Sequence, residues 1–438
     1  MLQKLVSFLE YFLVVLLIIE FNTPYIQFHI VSAGVSLAVA SILIVLFALG
    51  KKSVAGVSVA VLLIIGALPP ILFVEKGFLV PYIKIFIIIF PLSYLYLCNI
   101  QNNNRLQHFM IKSSDLVFVI SIKRNNNRLQ YLMFKFSDVV FVISIISLFF
   151  WTFGSLMGLI EANLWIPNDW AGPRMIPSYY GLYFETQEAG FMGEHFLRNT
   201  GIFNEAPMYN MILCFAFSIE YFMKDKRNGM RIIIYLLTIL STLSTTGLFY
   251  ILIVISYKQI TWLWKKNKLV LLFGSVVFFS LFILISSILL DSKMENGGEG
   301  SVTQRSEDIF MCLNVGLENP LIGVGLFHDS NLEWGTSNSL FTLFAHGGIY
   351  VLSMYMFSLL LIPLYYLKSR NDAKVLFGYF ILFTFTITLY NFLTIFLVAW
   401  GLTMMKSGQG ILARKTQLLS KGKYLLQITS VRLNSSEH

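Results

Sequence analysis

From Val139 to Ile160 the chain reads VVFVISIISLFFWTFGSLMGLI, with no charged residue between Asp138 and Glu161. A helix rises about 1.5 Å per residue and a bilayer's hydrocarbon core is about 30 Å thick, so roughly 20 apolar residues cross it. Comparable runs recur at about 6–24, 30–50, 54–75, 78–99, 207–223, 268–290 and 340–367. Two further segments, 230–264 and 375–406, each hold a pair of shorter runs, joined at Ser244-Thr245-Thr246-Gly247 and around Tyr390 and Asn391. Roughly twelve spans are expected, and because irregular backbone cannot face lipid, the fold class is all-α: one polytopic membrane domain over residues 1–438.

The charge supply agrees with that reading. Only 13% of the residues are charged, against about 25% in a soluble domain. Such a chain cannot clothe a water-facing surface. Cys98, Cys214 and Cys312 are too few for a disulfide framework and lack metal-ligand spacing. The N-terminal run after Lys4 resembles a signal peptide, but no small-residue cleavage site follows, so it reads as a retained first span.

The net charge of +9 could suggest nucleic acid, but the cations are sorted by topology. Lys4, Lys51, Lys52, the basic stretch at 102–145, 224–227, 265–268, Lys368, Arg370, Lys374 and the tail at 407–438 fall on one side of the alternating spans. Lys76, Arg174, Arg198, Lys293 and Arg305 fall on the other. The positive-inside rule makes the first side cytoplasmic and places both termini there. No nucleic-acid partner is expected.

Two long external segments follow, 162–206 and 291–337, both rich in Asp and Glu. Transporters usually keep short loops and bind at mid-membrane. Here the unusual polar chemistry stands outside. Arg198 lies just before a span in FLRNTGIFNEAPMYNMI, where its fork of donors suits phosphate oxygens. Pairing with Glu194 or Glu205 as a loop cap is the alternative reading of the same residue. Arg305 is the lone arginine of SVTQRSEDIFMCLNVGLENPLIGVGLF, flanked by Glu307 and Asp308. GVGLFH is no dinucleotide fingerprint, because the third glycine is missing. His346 and the Gly347-Gly348 pair enter the 340–367 run, and an ionisable group there is a functional candidate or a histidine satisfied by a neighbouring helix.

Taken together, Arg-x-x-Gly-x-Phe-x-Glu at 198–205, Ser/Thr–Gly at 244–247, Arg305, ENPLIGVG at 318–325 and SNSLFTLFAHGG at 337–348 resemble the O-antigen polymerase and O-antigen ligase family. The likeness covers about 195–352, and the twelve-span layout with two external loops extends it. It implies transfer of a glycan from an undecaprenyl-pyrophosphate carrier at the outer face of a bacterial cytoplasmic membrane. By the resemblance Arg198 and Arg305, with Arg174, hold the pyrophosphate. Glu205, or Asp308 after it, takes the acceptor proton; His346 joins the catalytic set, and Ser337 and Asn338 meet the glycan acceptor. No cofactor and no metal are expected, the activated donor supplying the energy. Implied partners are the lipid-linked oligosaccharide, membrane lipids, and the chain-length regulator and flippase of the same pathway.

Two departures matter. Ligases of the family place a histidine where this chain has Ser337, which favours polymerase over ligase. Family members often carry an acidic residue at the position of His346. The alternatives are a ligase that moves finished glycan to another acceptor, or a flippase for the same lipid-linked sugars.

Residues 102–122 and 125–145 are a tandem copy, NNNRLQHFMIKSSDLVFVISI and NNNRLQYLMFKFSDVVFVISI. In the first copy the apolar run LVFVISI stops at Lys123 and Arg124, and seven residues rise only about 10 Å as a helix. Two copies make no solenoid. The first copy is expected to lengthen a cytoplasmic loop along the inner interface, where its lysines meet anionic lipid.

Overall fold

A computed structural model describes residues 2–27, 29–49, 54–67, 79–110, 128–170, 172–191, 194–225, 228–266, 299–325, 338–386 and 388–405, with the single positions 274 and 280. The chain is mostly helical. Among the described residues four helices are long and apolar enough to cross a membrane: Val31–Ala48, Leu79–Ile100, Leu129–Leu156 and Ser339–Tyr366. They overlap four of the roughly twelve expected spans, the runs at 30–50, 78–99, 139–160 and 340–367, the third helix beginning ten residues before its run. Val57–Ala67, Gly229–Ser241, Thr245–Val254 and Phe392–Met405 are shorter apolar helices. The run at 268–290 lies outside the described residues apart from its two single positions.

In chain order the main helices are α1 (Leu2–Glu20), α2 (His29–Ala48), α3 (Val54–Ala67), α4 (Phe90–Met110) and α5 (Arg128–Phe150). After a β-rich segment come α6 (Ala206–Ser218), α7 (Gly229–Ser241), α8 (Thr245–Lys266), α9 (Glu299–Glu318), α10 (Ser339–Met356), α11 (Asn371–Phe385) and α12 (Phe392–Met405). Several helices continue as π-turns, including Trp151–Leu156 beyond α5. Glycines bring helices close where a side chain would collide: a Cβ on Gly247 of α8 would stand 2.1 Å from Asn210 Oδ1 of α6, which accounts for the glycine of Ser244–Gly247.

The mostly helical structure agrees with the all-α expectation in its main outline, but residues 162–206, expected as one large external loop, carry five strands. β1 (Leu164–Asn168), β2 (Arg174–Tyr179) and β3 (Tyr183–Phe184) form an antiparallel sheet in that order, and β4 (Glu188–Phe191) pairs antiparallel with β5 (Glu194–Leu197). The residues explain it: Trp165, Ile166, Ile176, Tyr179 and Tyr183 are aromatic or β-branched and suit a pleated surface. Pro167 would argue against a strand, but it sits on the edge strand, where a missing donor is tolerated.

The described part of 291–337, expected as a second external loop, is mostly helical rather than loop. Residues 299–318 form α9, packed along α10 with Cys312 Sγ 3.9 Å from Thr342 Oγ1. Arg305 and Glu307 are exposed while Asp308 and Cys312 face inward, so the polar face hid the helix from a reading based on apolar runs.

Charges within the helices are paired. Lys135 Nζ stands 2.6 Å from Glu10 Oε2 and donates to Ser7 O at 3.1 Å, while Tyr96 donates to Glu10 Oε1 at 3.0 Å. Arg231 pairs with Asp138 at 2.5 Å, and Lys224 with the buried Glu220 at 2.6 Å. Ser137 donates to Glu220 at 3.2 Å. Buried ions persist only with such partners. Lys135, Ser137 and Asp138 belong to the second tandem copy, which thus carries the packing and ion pairs as well as the apolar run. Residues 102–110 of the first copy continue α4, and 111–127 lie outside the described residues.

Candidate functional site

Arg198 follows β5 and is fixed from two sides, by Gln187 just before β4 and by the end of α7. Its backbone N–H donates to Gln187 O at 3.0 Å, and the next residue, Asn199, donates to Ser241 O at 3.0 Å. The guanidinium Nε donates to Thr242 O at 2.9 Å, at the C-terminus of α7. The negative end of the helix dipole favours a cation there. One terminal nitrogen reaches Gln187 Oε1 at 3.4 Å. These two bonds use two of the five donors a guanidinium offers, leaving three N–H groups for an anion. Gly201 (φ +56) turns the chain so closely that a Cβ would stand 2.8 Å from the Tyr209 ring.

Glu205 is the N-cap residue of α6, but its carboxylate makes no cap bond. It accepts from Trp170 Nε1 at 2.7 Å. The capping is done by Gln187, whose Oε1 takes the Ala206 N–H at 3.0 Å. One glutamine therefore ties Arg198 to the start of α6 and leaves Glu205 available for chemistry.

Arg305 completes the group. Burial pushes the Arg198 guanidinium down to about 10; the carboxylate of Glu205 opposes this, and the positive charge of Arg305 adds to it. Arg198 thus feels a carboxylate seven residues along its own segment and a cation from a second segment about a hundred residues away. Two guanidinium groups set against each other repel, and an anion between them would relieve both the repulsion and the desolvation of Arg198.

The remaining motifs form a backbone interlock. α10 is broken at Gly348 (φ 57, ψ −162). The loop after α9 lies in the break: Val324 and Gly325 donate to Ala345 O and His346 O at 2.9 and 3.0 Å. In return Ile349 and Tyr350 donate to Pro320 O and Leu321 O at 2.8 and 3.2 Å. A Cβ on Gly323 would stand 2.5 Å from Ala345 O, and one on Gly348 would stand 2.4 Å from Leu321 C. ENPLIGVG and AHGG are therefore two halves of one joint.

A second break lies between α11 and α12, and α10 staples it. Asn338 Nδ2 donates to Thr384 O at 2.5 Å, Ser339 Oγ bonds Thr386 O, and His346 Nδ1 is 3.0 Å from Tyr390 OH. The first N–H of α12, from Phe392, donates to Glu20 Oε2 at 2.6 Å.

Of the residues singled out from the sequence, Glu205 and Arg305 both act on Arg198 through their charge. Arg174 is exposed on β2, where it donates to Thr186 O at 2.7 Å. Asp308 is buried on the inward face of α9. His346 is buried at the interlock, and Asn338 caps α10 by accepting from Leu340 N at 2.9 Å and Phe341 N at 3.3 Å. Ser337 lies outside the described residues. Reading the sequence missed Gln187, Trp170 and Thr242. Only Trp170, a large aromatic in the polar stretch PNDWAG, offered a signal.

No protein-family model, curated protein or solved structure matches the chain. The likeness to the polymerase and ligase family rests on the motifs alone.

Proposed function

We propose that the chain is an O-antigen-polymerase-type glycosyltransferase of a bacterial cytoplasmic membrane, with about twelve spans, two large external segments and both termini inside. It would join undecaprenyl-pyrophosphate-linked oligosaccharide units into a capsular or O-antigen polysaccharide, with inversion at the donor carbon. The observation that carries this reading is the Arg198 guanidinium, held by Thr242 O and Gln187 Oε1 with three N–H groups to spare and subject to the charges of Glu205 and Arg305.

In the proposed step, the acceptor hydroxyl loses its proton to Glu205 as its oxygen attacks the donor's anomeric carbon. The bond from that carbon to the pyrophosphate oxygen breaks, and the carrier leaves with the electron pair. Charge gathering on the pyrophosphate is met by N–H donors that Thr242 and Gln187 already hold in place, which is where fixed donors act most strongly. The donor's own anhydride-linked carrier supplies the driving force.

Arg198→Ala and Arg305→Ala cells, with the surface glycan resolved on a gel, test the proposal. Loss of the ladder with single units still reaching the surface supports it, whereas a wild-type ladder refutes the site. One observation favours a second reading. The facing breaks at Gly348 and between α11 and α12 resemble the discontinuous helices of transporters, as a flippase for the same lipid would need. That reading predicts units trapped inside.

A further inference from the structure

The turn between β2 and β3, Tyr180–Leu182, combines exposed apolar side chains with a backbone whose three N–H groups and Gly181 carbonyl are bonded within the protein. Tyr180 and Leu182 are 63% and 47% exposed. Yet Tyr180 N donates to Asn163 Oδ1 at 2.7 Å, Gly181 N to Ser178 Oγ at 3.1 Å and Leu182 N to Tyr179 O at 2.9 Å. The Gly181 carbonyl accepts from the Tyr25 hydroxyl. A turn tip in water has no need of such partners, because solvent supplies them. A tip out of water needs every one.

Its position points the same way. The Phe150 ring of α5 lies 5.6 Å from the Tyr179 ring and 6.2 Å from the Tyr180 ring. Phe150 precedes the outer end of the Leu129–Leu156 span by six residues, roughly 9 Å at 1.5 Å per residue. The tip therefore reaches back alongside the span. Phe150 also touches Phe149 at 5.3 Å, and Phe149 belongs to an exposed stripe on that span, Val142, Ile145, Phe149, Phe153 and Leu156. Those spacings of three and four keep one helical face, the face left for lipid. The stripe is thus continuous with Tyr180.

We propose that Tyr180–Leu182 is inserted into the outer interface of the bilayer, with the Tyr180 ring at headgroup depth and Leu182 towards the acyl chains. Tyrosine suits that layer because its body is apolar and its hydroxyl polar. The sheet is then moored at two ends, by α5 and by the membrane. The Arg198 segment, tied to β3 through Phe184 N donating to Gly201 O at 3.0 Å, is held at the level where a lipid-borne anion emerges. The inference rests on the membrane reading and does not require the chain to be an enzyme.

Tyr180→Cys and Leu182→Cys, labelled with a nitroxide in phosphatidylethanolamine–phosphatidylglycerol vesicles, test the insertion. The native cysteines Cys98, Cys214 and Cys312 are all buried and do not compete for label. Relaxation by oxygen against relaxation by a water-soluble nickel chelate reads the depth. Ile145→Cys on the span serves as the lipid reference and Arg174→Cys, at the far end of β2, as the water reference. Loss of nickel relaxation at 180 and 182, approaching the value at 145, is the expected result. Nickel relaxation at both positions equal to that at 174, with 145 still sheltered, overturns the insertion alone. Nickel access at 145 as well overturns the membrane reading on which it rests.

Discussion

Replacing Gly348 by alanine tests the backbone interlock. At φ 57 and ψ −162 the residue occupies a region essentially reserved for glycine, and a side chain there costs about 1–3 kcal/mol. The new Cβ would also stand 2.4 Å from Leu321 C and 2.5 Å from Ile322 N. Both are backbone atoms, so no side chain can swing aside. Overpacking of this kind costs a further 1–3 kcal/mol or so. If the loop retreats instead, the four hydrogen bonds joining 320–325 to 345–350 are put at risk, at about 1 kcal/mol each. Either route loses about 2–6 kcal/mol, a large share of the roughly 5–15 kcal/mol typical of a folded domain. Thermal unfolding in detergent should show Gly348→Ala melting several degrees below the wild type. Gly34→Ala is the control: it lies in α2 with nothing within 4 Å of its Cβ position, so it should melt at or above the wild-type temperature. A Gly348→Ala protein that melts with the wild type would refute the interlock.

Three further outcomes are expected. Glu205→Gln can keep the Trp170 contact but cannot accept a proton, so transfer in a reconstituted assay should fall about 10²- to 10⁴-fold while donor binding persists; unchanged turnover would remove Glu205 from the mechanism. The guanidinium of Arg198 has its folded value lowered to about 10. A cation with a depressed value costs stability while charged, and stability recovers only as pH rises from there towards its ordinary value. Binding that uses the charge should run the other way: pyrophosphate affinity should hold at neutral pH and fade as pH rises through about 10, with affinity flat to higher pH counting against it. Glu10→Gln leaves Lys135 buried without its counter-charge, a loss of about 3–5 kcal/mol. Adding Lys135→Met should recover much of the melting temperature, and a double variant no more stable than the single one would contradict the pairing.

The spans were legible because a long apolar run without charge has few other uses. The boundaries at 30–50 and 78–99 lie within a few residues of the helices, and the split around Tyr390 and Asn391 is the break before α12. The β-sheet escaped because its strands are short and Pro167 and Pro177 interrupt them. α9 escaped because charged residues such as Arg305, Glu307 and Glu318 share its exposed face with Phe310, Met311 and Leu317, so no apolar run marked it and it read as loop. Within the site, residue type revealed more than spacing did. Arg198 and Arg305 stood out because the expected topology puts few cations on their side, but Gln187 contributes through one amide placed between Arg198 and Ala206, and no local pattern encodes that. The glycines of 318–325 form no nucleotide-binding fingerprint, and those of 347–348 no motif of their own. They are instead occupied by each other's backbone.

The central claim is that one pyrophosphate is held jointly by Arg198 and Arg305. Titrating the purified protein in lipid nanodiscs with undecaprenyl pyrophosphate, which carries no sugar to transfer, measures that grip directly. A charge-assisted hydrogen bond contributes about 1.5–3 kcal/mol, so Arg198→Ala and Arg305→Ala should each weaken binding by roughly 10- to 150-fold. The double variant should lose less than the product of the two, because both side chains grip one group. Wild-type affinity in either single variant would contradict the shared site.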